Sequence, residues 1–124
     1  MRKQSQITKK ITEKDFKLFQ EEFKKYQKIF NVQDYTIVFN QGLIDGNFAN
    51  IQTNSEMRTA FVTLADKIHK DDIEHFDIKE CAKHEALHLF LSDIVYLACE
   101  RFGNLDTIKK EEEKLVRLLT NVII

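Results

Sequence analysis

The sequence reads as a single α+β domain. Three observations predict this: an aromatic stripe at helical spacing near the start, alternating apolar segments between residues 35 and 65, and two long helical patterns after residue 77. The segment "ITEKDFKLFQEEFKKYQKIFN" sets Phe16, Phe19, Phe23, Tyr26 and Phe30 at steps of three and four. Thr12 and Asp15 offer a capping box, so a helix over 13–30 is predicted, its stripe facing the core. "DYTIVFNQG" alternates Tyr35, Ile37 and Phe39 against Thr36 and Val38, and stops at Asn40 and Gly42, which reads as a strand. After an Asp45-Gly46 turn, "NFANIQTN" and "MRTAFVTLADKI" supply two more, for a small three-stranded, mainly antiparallel sheet.

A helix over 78–102 follows, opened by Asp77 with Glu80 and closed by Gly103. From Ala86 to Cys99 it is apolar over most of its circumference, so it is expected to be central and covered on several sides. A last helix starts at about 106, with Leu115, Val116, Leu119, Val122 and Ile123 on its buried side.

A chain of 124 residues fits one domain, with residues 1–10 expected to fray. Its 43% apolar and 31% charged content is that of a soluble globular protein and excludes extended disorder. A net charge of −1 argues against a nucleic-acid binder working by phosphate neutralisation. No apolar run approaches the ~20 residues that span a bilayer. Cys81 and Cys99 fall on one helix with about 27 Å of rise between them, so they are expected to be free thiols. That, with a first segment lacking an apolar leader core, predicts a cytoplasmic protein.

The chemistry sits in "CAKHEALHLF". On a helix, His84 and His88 lie one turn apart on one face and can present two nitrogens to one cation, while Glu85 projects beside it. Two neutral nitrogen ligands and a neighbouring carboxylate are what a hydrolytic zinc site needs. With four His among the 124 residues, chance alone gives His-Glu-x-x-His in roughly one such chain in a hundred. The uncharged Ala86, Leu87, Leu89 and Phe90 around it sharpen the signal, because two histidines on an apolar helix carry a desolvation cost that packing alone does not explain.

A catalytic zinc usually takes a third protein ligand. Leu91 and Ile94 stand where a metzincin would have Gly and His, and no histidine follows His88, so a downstream carboxylate is left. Among Glu111, Glu112 and Glu113, helical phase puts Glu112 nearest the centre of the buried stripe, with Glu111 farther off and Glu113 facing away. Glu112 is the expected third ligand, with the other two as alternatives.

With "HEALH" on a long helix, a small sheet before it and a glutamate-bearing helix after it, the chain resembles a minimal zincin metallopeptidase. It is similar to short gluzincin-like, SprT-like or IrrE-like proteins of bacteria and, often, their phages, in which case its setting would be the host cytoplasm. The resemblance covers residues 12–124 in element order and five residues of motif. It implies a Zn2+-dependent peptidase acting on an extended peptide or protein substrate. His84, His88 and Glu112 would be ligands, Glu85 the general base and then acid, and "RTAFVTLA" the strand that pairs with substrate. The alternative is a catalytically silent binding or regulatory module holding a structural metal. The oxyanion-stabilising residue is not identified, Tyr96, His69 and His75 being the candidates, and a chain this short lacks a second lobe to wall the cleft.

Overall fold

A computed structural model describes residues 8–42 and 48–123. The Asp45-Gly46 turn and residues 1–7 lie outside the described residues. The architecture is α+β, as expected. Strand β1 (Thr8–Lys10) leads into helix α1 (Glu13–Ile29), followed by β2 (Thr36–Gly42), β3 (Ala49–Asn54), β4 (Thr59–Ala65) and β5 (Lys67–His69). A 3-10 turn (Lys70–His75) then precedes helices α2 (Ile78–Phe102) and α3 (Leu105–Val122).

The sheet has the order β2-β4-β3 and is mixed. β3 and β4 form the expected antiparallel hairpin, but β2 runs parallel to β4 and pairs with it on the side away from β3. The resulting centre is β4, paired along both edges, which leaves β3 as an edge. Along β4 Ala60, Val62 and Leu64 point into the core while Phe61, on the opposite face, is 46% exposed. Residues 8–10, expected to fray, instead pair with β5 as a two-stranded ribbon. Three ordered residues are too few to show alternation in a sequence.

Helix α1 behaves as its pattern predicts. Thr12 Oγ1 accepts from Asp15 N (3.1 Å), and Asp15 Oδ2 accepts from Thr12 N (3.3 Å). Phe19, Phe23 and Tyr26 are buried, and Phe39 of β2 meets the first two edge-on. In α2 the cap is Asp77, whose carboxylate accepts from Lys79 N and Glu80 N, and Gly103 closes the helix at φ +70°, where a side chain would strain the backbone. Ala82, Ala86, Leu87 and Leu89 are fully or almost fully buried.

Two expectations are corrected. Helix α2 is not covered along its whole length: Phe90, Ile94 and Leu97 are exposed. On α3, Leu115 and Val122 are exposed, and the buried line runs through Glu112, Val116 and Thr120 at steps of four. Apolarity marked a stripe, but the face that packs on α2 is rotated toward the polar residues. Among the described residues no helix is long and apolar enough to cross a membrane.

Candidate metal centre

The helical spacing brings the His84 and His88 rings to 5.0 Å between centroids, both facing α3. The residue that meets them there is Glu113. Its Oε1 lies 2.9 Å from His84 Nε2 and its Oε2 3.0 Å from His88 Nε2. Among the described residues these three offer ligand atoms that all lie within 4.8 Å of one another, a group that could hold a metal ion.

Glu112, the expected third ligand, takes the other side of His88: Nδ1–H donates to its Oε2 at 2.7 Å. Helical phase singles out the most buried of the three glutamates, and Glu112 is that residue, its side chain only 7% exposed. A ligand must instead face the opening where the Nε2 atoms point, and Glu113, 37% exposed, does so. Glu112 therefore fixes the tautomer and ring orientation of His88, as outer carboxylates do around metal-binding imidazoles. Glu111 is exposed and outside the group.

The electrostatics divide the two histidines. Burial, then the charge of His88, holds His84 below the usual imidazole value, which favours the neutral ring. Burial opposes charge on His88 too, but the hydrogen bond to Glu112 and the charges of Glu85, Glu112 and Glu113 outweigh it and raise the ring. Glu112 is held below the ordinary carboxylate value: its burial is overcome by His88 and by Lys109, whose Nζ lies 3.4 Å from Oε1.

Glu85, beside the two histidines and 6% exposed, is pushed up to about 7 by burial. A carboxyl that gains and loses its proton near neutrality suits general base and acid work. The Cys81 thiol, one turn before Glu85, is pushed up to about 12 by burial and by that carboxylate, which makes it an inert wall. Both cysteines are free.

The group lies on the floor of a cleft of about 730 Å³ between β3 and helices α2 and α3. A second cavity of about 330 Å³ continues past His84, Glu85 and Glu113 toward Phe48, His75 and Glu80. The strand beside the site is β3, whose residues 49–53 line the larger cleft, and not β4, which "RTAFVTLA" had suggested. Tyr96 lines the cleft, His75 the second cavity, and His69 lines neither, its Nδ1 accepting from Asp71 N. Lys109 and Arg117, not among the residues expected at the site, also line the larger cleft. Their signal was positional: Lys109 is three residues before Glu112, and Arg117, four after Glu113, has Nε 3.8 Å from its Oε1.

No protein-family profile, no curated protein and no solved structure matches this chain.

Proposed function

We propose that the chain is a zinc-dependent metallopeptidase of the zincin kind that hydrolyses an extended peptide. The observation that carries the reading is the convergence of His84, His88 and Glu113 within 4.8 Å, beside buried Glu85, in a cleft bounded by the outer strand β3 of the sheet. Two imidazoles and one carboxylate are a donor set suited to zinc with one position left open. Zinc held there supplies Lewis acidity toward a peptide carbonyl and toward water.

The chain's own groups do the rest. Glu85 takes the proton of the attacking water on its carboxylate and returns it to the leaving amine, a role its raised affinity for a proton supports. Glu112 holds the His88 ring through Nδ1, so that Nε2 faces the opening. Among the described residues β3 pairs only with β4, so its other edge offers backbone N–H and C=O groups with which an extended peptide can pair. Folded substrate cannot, so unfolded segments are the favoured class.

Purified protein is expected to hold one zinc per chain, lost in His88→Ala. Glu85→Gln keeps the zinc and abolishes cleavage of an unfolded protein. A wild type that holds zinc yet cleaves no unfolded protein would leave the silent binding module in its place.

A further inference from the structure

We propose that Arg58 is a positioning residue that, through Tyr35 and Asp93, fixes the height of edge strand β3 above the helix carrying His84 and His88. This rests on the reading of the cleft as a site for extended peptide. Arg58 ends the tight turn between β3 and β4 at φ +53°, a region that favours glycine or asparagine. From there its guanidinium reaches two carboxylates. Nε and Nη2 donate to Asp34 Oδ2 (2.9 and 2.6 Å), and Nη1 donates to Asp93 Oδ1 and Oδ2 (2.8 and 3.0 Å).

The same guanidinium lies 4.1 Å from the ring centre of Tyr35, which is 3% exposed. Tyr35 Oη donates to Asp93 Oδ1 (2.9 Å) and lies 3.2 Å from both Ser55 Oγ and Ser92 Oγ. Those two serines line the cleft from opposite walls, Ser55 after β3 and Ser92 one turn beyond His88. Exposed ion pairs alone contribute little stability. What this cluster does is join the tip of the edge strand, the α1–β2 connection and the ligand helix at one buried hydroxyl.

Such a clasp governs where a peptide paired to β3 lies relative to the ligands, and displacing it should cost substrate binding and spare the metal. The test uses zinc-loaded protein and a fluorogenic extended peptide. Arg58→Gly suits the positive φ and removes the whole side chain with its guanidinium; Asp93→Asn weakens the far end; Arg58→Lys keeps the stem and the charge without the fork. Expected in Arg58→Gly are zinc affinity within about twofold of wild type, a KM raised roughly tenfold with a smaller change in kcat, and partial recovery in Arg58→Lys. Affinity of Glu85→Gln for the uncleaved peptide should weaken by the same factor when Arg58→Gly is added. An unchanged KM and peptide affinity, or zinc lost in step with activity, overturns the proposal. A wild type that binds the peptide without cleaving it sinks the peptidase reading alone, and the binding ratio still decides the clasp. One that neither binds nor cleaves overturns both.

Discussion

Helix α2 has two halves in opposite surroundings, and the more apolar one is the less covered. From Ile78 to Leu89 it lies between α1, β3 and α3, and buries Ala82, Glu85, Ala86, Leu87 and Leu89. From Phe90 onward Phe90, Ile94 and Leu97 are 44, 68 and 64% exposed. The difference teaches that the chemistry depends on cover and not on apolarity. The covered half desolvates Glu85 and holds two imidazoles at fixed orientation; the outer half, richer in apolar residues and without a histidine, stands open to solvent.

The largest effect should separate the two glutamates that reach the sandwiched half. Glu113→Ala should weaken zinc by roughly three decades, one ligand's share of the ~10–16 kcal/mol typical of structural zinc sites. Glu112→Ala, which removes only the support of His88, should cost about 10–100-fold. Chelator competition measures both, and equal losses would break the distinction. Next come the halves themselves: Leu89→Ala should destabilise by about 2–5 kcal/mol and Leu97→Ala by no more than ~0.5 kcal/mol in urea unfolding.

The pH dependence sharpens the comparison further. Burial raises Glu85 to about 7, above its unfolded value near 4.5, so folding favours the protonated form. Its contribution is then fully present below pH ~4.5 and lost as pH rises through ~7. In metal-free protein, wild type should lose on the order of 3 kcal/mol relative to Glu85→Gln between pH 4.5 and 8. A difference flat with pH would mean that Glu85 is solvated. A smaller effect than that of Glu85 belongs to the helix entrance, where Asp77→Ala should cost about 1 kcal/mol of thermal stability without changing zinc stoichiometry.

What could be read from the sequence follows the physics of each element. Helices α1 and α2 were legible to within a residue or two because caps and spacing act locally: Thr12 with Asp15, Asp77, and Gly103. His84, Glu85 and His88 were legible for the same reason, since one helix fixes their spacing. Glu113 was not, because which of two adjacent glutamates faces an opening depends on how α3 packs, and a stripe including Leu115 and Val122 pointed to the wrong rotation. The parallel pairing of β2 with β4, and hence β3 as the edge, was hidden likewise, because strand order is set by a crossover and not by alternation. Arg58 carried no local signal at all; its partners Asp34 and Asp93 lie 24 and 35 positions away.

The short connection from Phe102 to Leu105 has a consequence for how the chain folds. Every candidate ligand belongs to one αα-hairpin, and His84 meets Glu113 across only 29 positions. Closing a loop that short is entropically mild, and contacts local in sequence form fast. Metal capture therefore asks for a single hairpin, while the sheet must first settle a crossover. An ion bound early would act as a nucleus, with the strand edge arriving afterwards on a centre already assembled.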